Sequence, residues 1–166
     1  LFAAWGEKKA ETFFEKLKAN GCRIVSSNGE VRRLVSQGEV AFGLTDTDDA
    51  NVARLEGAPV RIVFPDQDTD GEWGGLGTLL VPSAVCLIRG APHPEEAKRF
   101  IDFLLSPEVE LMLATMECAQ IPLRHGIQVP EGITPISQIK QMDVDLRKTA
   151  DWIEKILPWL RTWTQE

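Results

Sequence analysis

The chain has 166 residues, of which 43% are hydrophobic and 26% are charged, and its net charge of −7 corresponds to a pI of about 4.9. This length can bury a sizeable core, in one large domain or in two small lobes. The sequence has no Lys/Arg cluster for binding the phosphate backbone of nucleic acid, and no apolar run long enough to cross a membrane.

The first predicted element is an amphipathic helix over residues 2–18, which ends at Asn20-Gly21. Residues 22–25 predict a short strand. Ser26, Ser27 and Asn28 follow it, where a second helix with apolar residues at helical spacing begins. Small polar side chains at such a junction either cap the helix or contribute to an anion site.

Residues 39–51 contain the most informative stretch. An apolar run over residues 40–44 predicts a buried strand, and a helix begins after it. The junction carries two hydroxyls and three carboxylates: Thr45, Asp46, Thr47, Asp48 and Asp49. Asp and Thr are preferred N-cap residues, so capping explains one or two of them. Three carboxylates within four positions exceed what capping requires, because like charges repel, and they predict a ligand site.

These two strand–helix units with short turns predict an α/β fold with parallel strands. Ligands of open α/β sheets bind beyond the carboxyl ends of the strands. We therefore expect residues 26–28 and residues 45–49 to lie on the same rim of the sheet.

Residues 60–64 predict another strand, and residues 65–77 form a Gly- and Asp-rich linker or hinge. Part of this linker, DQDTDGEWG, resembles a calcium loop. It departs from the EF-hand pattern, because the twelfth position counted from Asp66 is Gly77 instead of Glu. The sequence therefore does not favour calcium binding.

The second half of the chain alternates β-rich and helical patterns. Residues 78–88 predict strand structure interrupted by Pro82, and residues 119–123 predict a further strand. Helices are predicted over residues 95–105, 108–115 and 149–162, the last with a kink at Pro158. We expect Phe100, Ile101 and Leu104 to be buried by the first of these helices, and Cys22 and Cys86 to be buried in strand-like runs. The last helix is amphipathic, with Trp152, Trp159 and Trp163 at helical spacing.

Enzyme motifs are nearly absent from the sequence. His93 and His125 lie in turns away from any nucleophile motif, and there is no P-loop, no Rossmann fingerprint and no G-x-S-x-G elbow. The nearest pattern is a strand followed by Asp46-x-Asp48, which is similar to the motif of haloacid-dehalogenase phosphatases, although Ala50 replaces its final Thr or Val. A metal-dependent phosphatase using Asp46 and Asp48 is therefore the enzyme alternative, and an interaction domain is a third.

Four stretches together resemble the type 2 periplasmic solute-binding proteins of ABC importers, in the branch related to ferric-iron-binding proteins. They are SSNGEVRRLVSQGEVAFGLTDTDDAN, APVRIVFPDQ, GGLGTLLVPSAVCLIRGAPHPEEAKRFIDFLLSPEVE and AQIPLR. The most specific part is APHPEEAKRFIDFLLSPEVE with IPLR after it. These stretches cover most of the 166 residues.

This resemblance implies an α/β fold with two lobes joined by crossover strands and a ligand cleft between the lobes. Residues 1–73 would then be part of the second lobe, residues 74–124 the returning part of the first lobe, and residues 125–166 helices that pack on the second lobe. The chain begins at Leu1 without Met and has no signal peptide. We therefore expect a C-terminal fragment that lacks the opening part of the first lobe.

The resemblance also implies a function without catalysis: an extracytoplasmic receptor, periplasmic or on the cell surface, that passes a solute to a membrane permease. Iron-binding relatives bind Fe³⁺ through two adjacent tyrosines near the positions of Asp48 and Asp49, but this chain has no Tyr. Carboxylates also bind hard cations. The ligand is thus Fe³⁺ or another hard cation, with Asp48 and Asp49 as the metal ligands, or a small anionic or phosphorylated solute. No cofactor is implied, and the fragment is expected to self-associate through uncovered strand edges.

Overall fold

A computed structural model describes residues 1–68 and 71–165 of the chain. Residues 69 and 70, within the predicted linker, and residue 166 lie outside the described part. Seven α-helices follow in order: α1 (Phe2–Trp5), α2 (Glu7–Ala19), α3 (Asn28–Ser36), α4 (Thr47–Leu55), α5 (Pro94–Leu104), α6 (Pro107–Thr115) and α7 (Leu146–Gln165). A 3₁₀ turn covers Ile136–Gln138. No helix in the described part is both long and apolar enough to cross a membrane.

Local sequence signals explain where several helices begin. The hydroxyl of Ser27 accepts the backbone N–H of Glu30 at 3.2 Å, so the S-x-x-E pattern caps α3. Ser106 caps α6 in the same way through the N–H of Val109, and Pro107 occupies the first turn, where a missing N–H costs nothing. The predicted kinked helix is longer than expected, and α7 continues through Pro158.

The predicted strands do not form. Within the described residues the only β pairing is one isolated parallel bridge between Thr78 and Gln141, and the structure is 48% helix. A strand requires a neighbouring strand to bond its backbone, whereas a helix bonds within itself. Apart from that bridge at Thr78, no neighbouring strand in the described part of the chain pairs with the five apolar segments, which are residues 22–25, 40–44, 60–64, 78–88 and 119–123. Several of their apolar side chains are accordingly exposed, as with Phe42 at 81% and Val81 at 76%, although Ala119 is buried.

The chain divides into two compact units. Unit 1 comprises Leu1–Ser26, Pro65–Leu79 and Lys140–Glu166, and unit 2 comprises Ser27–Phe64 and Leu80–Ile139. The chain therefore connects the units at four points: after Ser26, Phe64, Leu79 and Ile139.

Unit 1 is organised by aromatic side chains from α1, α2 and α7. Phe2 is buried, and its ring lies 5.5 Å from Trp159 and 6.0 Å from Phe14. Trp163 is also buried and contacts Phe14 edge to face at 5.2 Å. The tryptophan stripe predicted in the last helix therefore packs against α1 and α2, with Trp163 buried and Trp152 and Trp159 partly covered.

Unit 2 pairs α3 with α4 and α5 with α6. Its buried side chains come from several segments: Leu34, Asn51, Ala53, Val109, Ala114, Ala119 and Ile139. The segment before Arg124 is bound to α6 by Glu110, whose carboxylate accepts the N–H of Leu123 at 2.6 Å and that of Arg124 at 3.0 Å. Desolvation raises the pKa of Glu110, but these hydrogen bonds and the Arg124 guanidinium outweigh it and lower the pKa overall.

Two burial predictions are wrong. Helix α5 has no buried residue, Phe100 is 59% exposed, and Ile101 and Leu104 are only partly covered. Cys22 and Cys86 are also exposed. The apolar stripe of α5 and the strand-like runs do occur in the sequence, but the described part of the chain covers the α5 stripe only in part and leaves both cysteines exposed.

The exposure of Phe100 leads to a test of the α5 face. Phe100→Ala should lower the free energy of unfolding of the 166-residue chain by less than about 1 kcal/mol, because little apolar area is removed from contact. Leu34→Ala is the matched control in unit 2. Leu34 is 2% exposed, so this change should cost about 2–5 kcal/mol. Urea denaturation of both variants measures the difference, and equal losses would contradict the exposed position of Phe100.

Candidate functional site

The two polar junctions that the sequence predicts as neighbours meet at the N-termini of α3 and α4. Asn28, the first residue of α3, donates its side-chain N–H to the carboxylate of Asp46 at 2.5 Å. Asp46 immediately precedes α4. The predicted proximity of these two segments is therefore confirmed within unit 2, although they are brought together by helix packing and not by a sheet.

The three acidic residues at the start of α4 form a cluster. One carboxylate oxygen from each of Asp46, Asp48 and Asp49 lies within 4.8 Å of the other two. Asp46 is exposed, and Asp48 and Asp49 are partly covered. Asp46 occupies the N-cap position, yet its side chain makes no capping hydrogen bond. Its carboxylate instead accepts from Asn28 and, at 3.4 Å, from the hydroxyl of Thr45.

Asp48 and Asp49 have different partners. The Asp48 carboxylate accepts the N–H of Asp49 at 2.9 Å, which satisfies one of the free amides in the first turn of α4. The Asp49 carboxylate lies 3.5 Å from the guanidinium of Arg32 on α3. Asp49 therefore has a cationic neighbour, whereas Asp48 faces another acid.

The pKa values of Asp46 and Asp48 shift in opposite directions. The hydrogen bond between the two side chains lowers the pKa of Asp46, and burial opposes this effect only in part. The same hydrogen bond, reinforced by burial and by the charge of Asp46, raises the pKa of Asp48. A cation bound between the two carboxylates would relieve the repulsion between them when both are ionised.

The remaining predicted site residues are placed as follows. Ser27 caps α3, and Thr47 begins α4 behind Asp46. Ser26 belongs to unit 1, whereas the acidic cluster belongs to unit 2.

Arg32 is the site residue that the sequence interpretation missed. It lies four residues after Asn28 on α3, and residues four apart share one helix face. This spacing could have placed Arg32 beside the acidic cluster, since Asn28 was already expected there. With Arg32 included, the site presents a carboxylate group for a positive charge and one guanidinium for a negative charge.

The structure does not support calcium binding by the described residues of the linker. Three backbone N–H groups, from Gly75, Leu76 and Gly77, donate to the Asp66 carboxylate. N–H donors on both oxygens surround this carboxylate with partial positive charge, which is the opposite of a cation site.

Comparison with known proteins identifies the family of the chain. The family model of the bacterial extracellular solute-binding proteins matches residues 3–140. The chain therefore belongs to this family, whose members are transport proteins that bind solutes.

Three relatives illustrate the range of the family. A protein of Salmonella typhi, named as a 2-aminoethylphosphonate-binding periplasmic protein, is 29% identical over 98% of this chain and 43% of its own length. An uncharacterised protein of Haemophilus influenzae is 32% identical over 98% of this chain and 44% of its own. Iron uptake protein A1 of Synechocystis is 26% identical over 89% of this chain and 42% of its own. The chain thus spans less than half the length of these relatives, and no solved structure matches it.

Proposed function

We propose that the chain is part of the extracytoplasmic receptor of an ABC importer, periplasmic or at the cell surface, and that it carries one side of the ligand cleft. Asp46, Asp48 and Asp49 bind the positively charged part of the solute. Arg32, Ser27, Asn28, Thr45 and Thr47 provide donors for its anionic or hydroxyl groups. The receptor delivers the solute to the membrane permease. Under this proposal the lobe division remains residues 1–73, 74–124 and 125–166.

The carboxylate cluster is the observation that carries this proposal. Three acids within 4.8 Å favour a ligand with positive charge, and a single guanidinium 3.5 Å from Asp49 favours a small anionic group beside it. The relatives' names refer to an aminophosphonate and to iron. Both ligand types supply positive charge, as an ammonium group or as Fe³⁺. A phosphate without an ammonium group would be repelled by the acids.

Titration calorimetry on the full-length protein tests this assignment. Three probes are compared: 2-aminoethylphosphonate, ethylphosphonate and Fe³⁺ supplied as its citrate complex. We expect binding of 2-aminoethylphosphonate or of Fe³⁺, and at least about tenfold weaker binding of ethylphosphonate, because it lacks the ammonium group. Equal binding of the two phosphonates would contradict the role of the acids. Turnover of a chromogenic phosphate ester with Mg²⁺ would support the phosphatase alternative instead.

The raised pKa of Asp48 predicts how cation binding depends on pH. A cation competes with the proton that binds Asp48 at low pH, so affinity should fall by about tenfold for each pH unit below the raised pKa of Asp48. Luminescence of Tb³⁺, a hard trivalent cation, measures this between about pH 3 and pH 7. The variant Asp48→Asn removes the titrating carboxyl group and should flatten the profile. An unchanged slope in this variant would show that another group is titrating.

The same pair affects folding stability in opposite directions. The pKa of Asp46 is lowered, so its stabilising contribution is present above its unfolded pKa and is lost as the pH falls through its folded pKa. The pKa of Asp48 is raised, so its contribution is present at low pH and is lost as the pH rises through its folded pKa. Because the two contributions oppose each other, stability is a poorer probe of the pair than cation binding.

We also propose that the 166-residue chain self-associates. The support is its uncovered apolar surface, which includes Val81, Ile88, Phe100 and Phe103, each at least 58% exposed. Sedimentation velocity over a range of concentrations should show a rising average mass. The variant Val81→Lys places a charge in this surface and should reduce the association. A single monomeric species at high concentration would contradict the proposal.

A further inference from the structure

Asp66 and Gln67 lie in unit 1, beside the unit 1 ends of three of the four chain connections between the units. The chain enters unit 1 at Pro65, leaves it after Leu79 and enters it again at Lys140. Both residues belong to the Gly- and Asp-rich linker that the sequence predicts over residues 65–77. This linker is not part of the acidic cluster.

Asp66 binds the part of the linker that leads to Leu79. Its carboxylate accepts the N–H of Gly75 at 2.9 Å, of Leu76 at 2.5 Å and of Gly77 at 2.9 Å. Asp66 itself has φ of 60°, a left-handed conformation that few non-glycine residues adopt. Hydrogen bonds to an ionised acceptor are stronger than neutral ones, and three of them offset the cost of this conformation.

Gln67 joins the same loop to the segment that begins at Lys140. Its side-chain NH₂ group lies 2.9 Å from the hydroxyl of Thr78 and 3.1 Å from the carbonyls of Pro65 and Lys140. Its side-chain oxygen accepts the N–H of Lys140 at 2.7 Å. One amide side chain thus contacts all three segments.

Backbone contacts bring the segments closer still. The N–H of Thr78 donates to the carbonyl of Lys140 at 2.9 Å, and the N–H of Met142 donates to the carbonyl of Thr78 at 2.8 Å. A Cβ atom on Gly77 would come within 2.7 Å of the Lys140 carbonyl oxygen, so only glycine permits this approach.

We propose that Asp66 and Gln67 are positioning residues that form a clasp, defined as these two side chains with residues 75–78 and Lys140. The clasp holds three of the four chain connections together on unit 1. Asp66 fastens the loop to residues 75–77, and Gln67 fastens that loop to Lys140. This role concerns the internal structure of unit 1 and does not depend on the proposed solute-binding function.

Amide hydrogen exchange of the 166-residue chain tests the clasp. Asp66→Asn should speed exchange at Gly75, Leu76 and Gly77 by at least about tenfold, because an uncharged amide cannot accept three N–H groups as strongly. It should also speed exchange at Met142, which bonds the adjoining Thr78 carbonyl. Asp68→Asn is the matched control, since Asp68 is an exposed acid in the same loop, and it should leave all four amides unchanged.

A second variant separates the two halves of the clasp. Gln67→Met keeps the length of the side chain and removes its hydrogen bonds, so exchange should speed at Lys140 and Met142 while Gly75 and Leu76 stay protected. If Asp66→Asn unfolds the chain, this variant alone decides the question. Unchanged exchange at Lys140 and Met142 in Gln67→Met would overturn the proposal, as would equal acceleration in the Asp68→Asn control.

Discussion

Replacing both Asp48 and Asp49 by asparagine should weaken binding of the solute to the full-length protein at least tenfold, a loss of about 1.4 kcal/mol. Asparagine keeps the size of each side chain and one hydrogen-bonding oxygen but removes two negative charges. The side-chain oxygen of asparagine can accept the N–H of residue 49 as the Asp48 carboxylate does. This backbone amide at the start of α4 should therefore keep its hydrogen bond. The melting temperature should therefore change little.

Helix α5 provides a matched control for this double variant. Glu95 and Glu96 are also two adjacent acids in the first turn of a helix, but their partners are Lys98 and Arg99 on α5 itself. Changing both to glutamine removes the same charge and should leave solute binding unchanged. A variant at Asp48 and Asp49 that binds normally but melts far lower would assign these two acids to helix stability.

Trp163→Ala should lower the free energy of unfolding by about 3–5 kcal/mol, the usual cost of removing a buried aromatic side chain. Trp163 is 9% exposed and lies against Phe14 at 5.2 Å and Trp159 at 6.2 Å. The contact with Phe14 joins α7 to α2 within unit 1. The loss should appear in urea denaturation followed by circular dichroism.

Two further variants separate packing from polarity at this position. Trp163→Phe retains an aromatic ring and removes a buried indole N–H that has no hydrogen-bond partner among the described residues, so it should cost much less than Trp163→Ala. Ile153→Ala, at a 54% exposed position on the same helix, should cost less than about 1 kcal/mol. If Trp163→Ala lost no more than Ile153→Ala, Trp163 could not be part of the core of unit 1.

The helices were largely predictable because their determinants are local. The Ser27-x-x-Glu30 capping box and the Ser106-Pro107 start lie within four residues of the amides they affect. Hydrophobic spacing likewise predicted the Trp163 stripe of α7. The acidic cluster was predictable for the same reason, since Asp46, Asp48 and Asp49 are consecutive or nearly so in the chain.

Burial and pairing could not be predicted in this way. The stripe of α5 is as regular as that of α7, yet Phe100 is 59% exposed, because burial depends on whether another element covers the stripe. The β-rich runs likewise require partner strands that the described residues do not provide. An apolar pattern indicates which face of a segment could be buried, but it does not determine whether another element covers that face.

Some side-chain contacts could not be predicted either, because the two residues lie far apart in the sequence. Arg32 lies 17 positions before Asp49, and Gln67 bonds to Lys140 across 73 positions of the chain. No local period links such residues, whereas the helix caps act over three. Family resemblance and residue pattern were enough to assign the solute-binding class and its candidate acids. The clasp at Asp66 and Gln67 and the arginine beside the acids became visible only with the folded chain, because their partners are brought together by packing and not by sequence spacing.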